Sequence, residues 1–236
     1  MPTQTFFNLP NEKRQKFVEI AIAEFAAHDY NTASITKIVV TANIAKGSVY
    51  QYFEDKKGLY LYLIEFATEE KLAFLKNSEQ PESANFFDYL RWLFRVSARF
   101  DFEHPKLSQL VYRARYGALP FRDEVLEQTK KASSDYIQPL VERGIAQGDI
   151  NPEIEPDLAT YIVNTLGNEL GSLILERLDI DPERLAEEGP LADLDMTAVE
   201  KIFDDLIQVL EQGMGRNAKL SAKGKKASAT GRSSRV

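Results

Sequence analysis

A short segment near the start of the chain carries side chains suited to hydrogen bonding with nucleic acid. If residues 45–53 form a helix, Val49 and Phe53 share its inward face and Gln51 lies opposite them. A glutamine on an outward face can donate to and accept from a base edge, and adenine suits it well. Gly47 allows close approach of the helix backbone, and neighbouring hydroxyl and ammonium groups suit phosphates. We therefore expect DNA contacts from Lys46, Gly47, Ser48, Tyr50, Gln51, Tyr52 and Lys56.

The elements that would position this helix are also visible in the sequence. An amphipathic helix is predicted from an Asn11 cap to about Asp29, and a short helix follows a Ser34 cap. Asn43 comes next, and asparagine tolerates the left-handed conformation that a tight turn requires. A longer helix is predicted from Lys56 onward. Two short helices joined by a tight turn and packed on a preceding helix form a helix-turn-helix.

The same segment resembles the DNA-binding domain of the tetracycline-repressor (TetR) family over about residues 10–65. The resemblance rests on the run Lys46-Gly47-Ser48-Val49-Tyr50, followed by Tyr52-Phe53, Lys56 and Leu59. It implies a homodimer, a palindromic operator in double-stranded DNA and, in most members, repression relieved by a small-molecule effector. Four positions depart from the family pattern, and one of them is Lys37, which stands where an acid is common. Asn43 and Asp29 replace glycines, and Ala45 replaces a Ser or Thr cap worth about 1 kcal/mol.

The rest of the chain predicts an all-α fold in two parts. We expect an N-terminal three-helix helix-turn-helix domain in residues 1–60 and a larger C-terminal helical effector-binding and dimerisation domain in residues 61–213. Apolar periodicity indicates helices in the second part at about 82–103, 105–117, 121–147, 156–178 and 197–212, with a Pro- and Asp-rich connection before the last. Residues 214–236 hold seven basic residues and no acid, and they predict a disordered basic tail. This tail either only solubilises the chain or adds sequence-independent contacts with DNA.

Aromatic residues are concentrated in the middle helices, where the family resemblance places the effector cavity. Two pairs at helical spacing are the candidates for lining it: Tyr89, Trp92, Tyr112 and Tyr116. Nearby arginines either supply polar anchors for a largely apolar or aromatic effector or pair with acids on the surface. These arginines are Arg95, Arg99, Arg113 and Arg115. The alternative for the aromatic residues is that they are ordinary core.

The last two long helices are the candidates for a dimer interface. Gly167 and Gly171 lie four residues apart on one helix face, where each glycine costs about 1 kcal/mol of helix propensity. Close approach of another helix would explain them, and the family resemblance places dimerisation here. The expected interface residues are Leu166, Gly167, Leu170, Gly171, Ile174, Phe203, Leu206 and Leu210. The alternative is that these helices pack only within the chain.

Composition argues against several other classes of protein. The chain has no cysteine, and its two histidines, His28 and His104, lack further ligands at helical spacing, so we expect no metal and no cofactor. No catalytic triad, phosphate loop or dinucleotide motif is present, so we expect that it is not an enzyme. The lack of cysteine, of a signal peptide and of a long apolar run predicts a cytoplasmic protein without membrane contact.

The net charge of −7 does not argue against DNA binding, because the acidic residues are concentrated in the middle of the chain. Residues 1–60 have a net charge of +1, residues 61–213 of −15 and residues 214–236 of +7. Two other functions remain open. One is a helical small-molecule-binding protein that does not bind DNA, and the other is an enzyme acting on lipophilic substrates in the helical cavity.

Overall fold

The computed structural model describes residues 2–82, 84–188 and 196–216, and these residues form an all-α protein. Within them the only β-type pairing is an isolated bridge between Ile150 and Gly215. None of the helices in these ranges is long and apolar enough to span a membrane. In chain order the helices are α1 (Gln4–Phe7), α2 (Asn11–Ala27), α3 (Ile35–Thr41), α4 (Lys46–Tyr52), α5 (Lys56–Asn77), α6 (Phe86–Glu103), α7 (Pro105–Tyr116), α8 (Arg122–Gln147), α9 (Pro156–Arg177), α10 (Pro182–Glu188) and α11 (Met196–Met214).

Helices α2 to α4 and the start of α5 form the predicted helix-turn-helix around one apolar core. Phe25 and Phe53 are buried in this core. Ser34 caps α3, since its hydroxyl oxygen accepts a hydrogen bond from the Lys37 N–H (3.2 Å). Asn43 has a φ of 54°, so the turn between α3 and α4 has a left-handed residue at the predicted position.

Helix α1 holds the C-terminal end of α4 and has no counterpart among the predicted helices. The Thr3 N–H donates to the carbonyl oxygen of Tyr52 (2.8 Å), and the Thr3 hydroxyl donates to that of Gln51 (2.6 Å). Phe6 of α1 is fully buried in the helix-turn-helix core. Helix α4 has only seven residues, and Ala45 gives its N-terminus no side-chain cap. The contacts from α1 therefore satisfy carbonyl groups at the other end of a short, weakly capped helix.

The C-terminal domain is a helical bundle with a second core. Helix α8 packs along α9, and α11 packs along α6. Phe203 of α11 and Val141 of α8 are fully buried in this core. Helix α7 joins the two halves of the molecule, because Leu110 and Ala114 on it are buried in the helix-turn-helix core. A movement of α7 would therefore be transmitted directly to the first domain.

The C-terminal region differs from the sequence prediction in two places. Helix α10 forms in the Pro- and Asp-rich connection, with Pro182 at its first position, where the missing N–H has no helical partner to lose. Helix α11 continues to Met214, whose carbonyl oxygen accepts from the Asn151 N–H (2.8 Å), and the Arg216 N–H donates to the carbonyl oxygen of Asp149 (3.1 Å). Ordered backbone contacts therefore reach Arg216. Residues 217–236 of the expected basic tail lie outside the described residues.

Candidate DNA-binding surface and effector cavity

Helix α4 has an outward face that carries three of the residues expected to contact DNA. Val49 is buried beneath it, whereas Tyr50 is 55% exposed and Gln51 is also exposed. A Cβ atom added at Gly47 would meet nothing within 4 Å, so the helix backbone is openly accessible there. Ser48 is half-buried, and the side chain of Lys46 lies outside what the structure describes. The structure thus brings Gly47, Tyr50 and Gln51 together on one accessible surface.

Tyr52 is not part of this surface. It is 8% exposed, and its ring packs against Phe6 and Phe17 with centroid distances of 5.9 and 6.1 Å. The sequence suggested an outward hydroxyl because helical spacing does not reveal that α1 folds over this side of α4. The Tyr52 ring therefore belongs to the helix-turn-helix core and not to the exposed face of α4.

Lys56 points back into the helix-turn-helix domain. Its Nζ donates to the carbonyl oxygen of Ala33 (2.6 Å) and lies 4.8 Å from the centroid of the Tyr30 ring, a cation–π distance. Burial lowers the pKa of this ammonium group. Lys56 therefore fastens the connection between α2 and α3 to the start of α5. Sequence spacing did not indicate this, because Ala33 lies 23 residues earlier in the chain.

Val40 is an additional candidate for DNA contact that the sequence reasoning missed. Helix α3 buries Ile38 and Val39 but leaves Val40 73% exposed at the edge of the turn to α4. An exposed apolar side chain there is suited to the methyl group of thymine. The available signal was that Ile38 and Val39 already supply the inward face of this short helix, which leaves Val40 turned outward.

A buried carboxylate fixes the start of α3 on α2. Glu24 accepts a hydrogen bond from the Ser34 N–H (2.8 Å) and pairs with Nζ of Lys37 (2.9 Å). Burial acts to raise the pKa of Glu24, but the hydrogen bonds from Lys37 and Ser34 outweigh it and leave the pKa below its ordinary value. An ionised Glu24 therefore helps to set the position of α3 and of Val40 on it.

A cavity of about 300 Å³ lies among α5 to α10 in the C-terminal domain. Tyr112 and Tyr116 of α7 line it, with ring centroids 4.8 Å apart. Of the four candidate arginines only Arg115 lines it, and this arginine donates to the carbonyl oxygen of Asn168 (2.6 Å). The apolar part of the wall includes Leu72, Leu75, Leu93, Phe94, Phe100 and Leu170. In the described ranges no group of three or more His, Asp and Glu residues is arranged to hold a metal ion.

Tyr89 and Trp92 lie behind the cavity wall and do not line it. The indole N–H of Trp92 donates to the carbonyl oxygen of Glu79 (2.7 Å), which fixes the ring against the chain segment after α5. The hydroxyl of Tyr89 lies 3.1 Å from that of Tyr136, and Tyr136 does line the cavity. Helical spacing correctly pairs Tyr89 with Trp92, but it cannot show which side of α6 faces the cavity.

The residues expected in the dimer interface are divided between three environments. Gly167 and Gly171 line the cavity, and a Cβ atom added at Gly171 would meet nothing within 4 Å. Leu170, Ile174, Phe203 and Leu210 are buried within the chain's own core. Leu166 and Leu206 are half-buried, with part of each side chain available for a partner. Gly167 is exposed and Gly171 is half-buried, so the space next to both glycines is open.

Arg113 connects three elements at the boundary between the two domains. It is 14% exposed, and its Nε donates to the carbonyl oxygen of Ala26 at the end of α2 (2.7 Å). Its two terminal nitrogens pair with Asp29 (2.8 Å) and with Glu183 of α10 (2.9 Å). Two other residues of α10 line the effector cavity. One guanidinium group thus links the cavity wall to the helix-turn-helix domain.

Two family models match separate parts of the chain. The family model for "Bacterial regulatory proteins, tetR family" matches residues 17–63, and that for "Tetracyclin repressor-like, C-terminal domain" matches residues 84–215. The uncharacterised HTH-type transcriptional regulator YhgD of Bacillus subtilis is 22% identical over 157 residues, which are 64% of this chain and 78% of YhgD.

Solved structures resemble the whole fold. A TetR family transcriptional regulator from Chloroflexus aurantiacus is 42% identical, with a TM-score of 0.72 over 92% of this chain and 99% of that one. FadR from Bacillus subtilis, solved in complex with stearoyl-CoA, is 16% identical with a TM-score of 0.59 over 80% of this chain and 96% of FadR, and it shares the fold alone. On the match to its C-terminal domain and the 42% identity, this chain belongs to the TetR family of transcriptional regulators.

Proposed function

We propose that the chain is a homodimeric repressor that binds a palindromic operator and is released by a largely apolar small molecule. The observation that carries this proposal is the position of α7. One face of α7 lines the cavity through Tyr112 and Tyr116, and Leu110 and Ala114 are buried in the helix-turn-helix core. A ligand that changes the cavity therefore acts on the same helix that supports the DNA-binding domain.

The DNA-binding part of the proposal rests on the outward face of α4. Gln51 is the exposed group best suited to read a base edge, and Tyr50 supplies a hydroxyl for a phosphate. In a dimer the two copies of α4 must lie about 34–36 Å apart to enter successive major grooves. A ligand that favours another spacing lowers DNA affinity by linkage.

The proposed dimer rests on exposed apolar residues of the last two long helices. Half of the large exposed hydrophobic residues in the described ranges lie there: Leu158, Tyr161 and Leu173 on α9, and Val209 on α11. Helices α9 and α11 contact each other, so these residues and the half-buried Leu166 and Leu206 form neighbouring surfaces. Burial of such a patch against a second copy is the usual way to remove it from water.

The proposed class of effector rests on the composition of the cavity wall. Aliphatic and aromatic side chains form most of it, and its charged groups are already engaged: Nζ of Lys71 pairs with Asp101 (2.8 Å), and Arg115 binds Asn168. The wall therefore favours a ligand that is mostly apolar. FadR, which shares the fold, was solved with stearoyl-CoA, a ligand with a long apolar chain, and this supports the same ligand class here.

The test is an electrophoretic shift with the DNA upstream of the chain's own gene, against a scrambled duplex of equal length. We expect a shift specific to the upstream DNA and a dimer by sedimentation equilibrium. Val209→Glu should give monomers that lose the specific shift, because it buries a charge in the proposed interface, whereas the adjacent exposed Gln208→Glu should keep both properties. Equal affinity for both duplexes would contradict the proposal and favour a helical ligand-binding protein that does not bind DNA.

A further inference from the structure

The cavity wall contains one buried polar side chain without a hydrogen-bond partner. Gln109 of α7 is 3% exposed and lines the cavity, and its Oε1 is fully buried without a partner among the described residues. Two other polar side chains of the cavity wall have hydrogen-bond partners. The Ser108 hydroxyl donates to Asp101 (2.8 Å), and Asn164 is hydrogen-bonded to both Ser133 and Ser134. Gln109 therefore differs from Asn164, the other buried polar side chain of the wall among the described residues.

An unpaired buried amide lowers the stability of the folded chain, because the group gives up its hydrogen bonds to water on folding. An apolar side chain of the same length would avoid this loss at a position otherwise surrounded by core. Helix α7 lines the cavity along its length from Pro105 to Tyr116, and Gln109 lies within this stretch. A buried amide at this position suits recognition of a ligand, whereas an apolar side chain would serve packing better.

We propose that Gln109 selects effectors that carry a hydrogen-bond donor, such as a hydroxyl group, on an otherwise apolar frame. This proposal rests on the proposed function and specifies the ligand class of the same cavity. Oε1 has no accessible surface in the structure, so the Gln109 side chain turns to bring this oxygen to the cavity, where it accepts a hydrogen bond from the donor of the ligand. The apolar frame of the ligand fills the space between the aromatic and aliphatic side chains. Next to Gln109 on α7, Leu110 is buried in the helix-turn-helix core, so the recognised group lies close to the connection between the domains.

The experiment uses three probes with nine non-hydrogen atoms each: 1-octanol, heptyl methyl ether and nonane. They share an apolar chain, but only 1-octanol can donate a hydrogen bond. Isothermal titration calorimetry with the full-length protein should give about tenfold tighter binding of 1-octanol than of the ether, the amount expected for one neutral hydrogen bond. In Gln109→Met this preference should disappear while the affinity for nonane is kept or improved.

Gln128→Met is the matched control, because it makes the same change at an exposed glutamine of α8 that does not line the cavity. It should keep the preference for 1-octanol. Thermal unfolding without probes checks that each variant folds, and Gln109→Met should raise the midpoint because an unpaired polar group is removed. If Gln109→Met does not fold, Gln109→Leu takes its place.

Equal affinities for 1-octanol and the ether in the wild-type protein would overturn the assignment of Gln109 and leave the cavity as an effector site. A preference that survives Gln109→Met but is lost in Tyr112→Phe would transfer the role to Tyr112 and overturn it as well. Failure of all three probes to bind would overturn both the assignment and the proposal that the cavity takes an apolar effector.

Discussion

Substitution of Gly171 decides whether this glycine serves the cavity or a partner chain. In the structure a Cβ atom at this position has open space around it and the residue lines the cavity. Gly171→Leu should therefore place an apolar side chain inside the cavity. Replacing a glycine within α9 gains about 0.8–1 kcal/mol of helix propensity. Burying the leucine side chain adds about 1.5–3 kcal/mol.

We therefore expect Gly171→Leu to raise the free energy of unfolding by about 2–4 kcal/mol. Gly171→Ala is the control, since it gains the helix propensity without filling the cavity, and it should account for about 1 kcal/mol. Both values are measured by urea unfolding with linear extrapolation. The filled cavity should also exclude 1-octanol and lower DNA affinity, because the new side chain takes the place of an effector.

A partner helix packed on Gly171 would give the opposite result. Gly171→Leu would then push two chains apart, so sedimentation equilibrium would show monomers and the free energy of unfolding would fall. A dimer of unchanged affinity with a more stable fold supports the cavity. Dissociation together with a loss of stability would refute the placement of Gly171 that the structure gives.

Four further predictions test other parts of the account. Gln51→Ala should reduce discrimination between base pairs by about 1–3 kcal/mol at one position in each half-site. Fluorescence anisotropy with duplexes that carry single base-pair substitutions measures this, and an equal loss of affinity for all duplexes would contradict a role in base reading. Phe6→Ala should destabilise the helix-turn-helix domain by about 3–5 kcal/mol in urea unfolding, and an unchanged midpoint would show that α1 does not support α4. Arg113→Met should reduce the change in DNA affinity that Gly171→Leu causes. The coupling free energy between two sites is typically about 1–3 kcal/mol. A double-mutant cycle measures it, and additive effects of the two substitutions would exclude Arg113 from the coupling. The free energy of unfolding should fall as the pH drops below 4.5, the ordinary pKa of a glutamate, because a lowered pKa in the folded state stabilises the fold only while Glu24 is ionised. Urea unfolding at several pH values should show a smaller decline for Glu24→Gln than for the wild-type protein. An unaltered decline would contradict this role of Glu24.

Local sequence patterns were sufficient to predict the helices and the turn of the DNA-binding domain. The Ser34 cap and the left-handed Asn43 are properties of a few adjacent residues, and the structure has both where the sequence places them. The long helices were predicted for the same reason, since apolar periodicity is local. Helices α1 and α10 were not predicted, because α1 has only four residues and α10 lies in a Pro- and Asp-rich segment. The burial of Phe6 is a tertiary contact that stabilises α1.

Side-chain directions within the predicted helices could not be read from spacing alone. Tyr52 and Lys56 share the recognition segment with Gln51, yet Tyr52 packs under α1 and Lys56 reaches back to Ala33. Gly167 and Gly171 share one face of α9, as expected, but periodicity does not state whether that face meets a cavity or another chain. In each case the deciding partner is distant in the sequence.

The most direct test of the central claim is selection of bound DNA from a random duplex library by the full-length protein. A dimer that inserts α4 of each protomer into successive major grooves should enrich an inverted repeat with half-site centres about 10 base pairs apart. The same selection with Gln51→Ala should lose one conserved base pair in each half-site and keep the spacing. A bound pool without an inverted repeat would contradict the account that this chain reads a palindromic operator as a dimer.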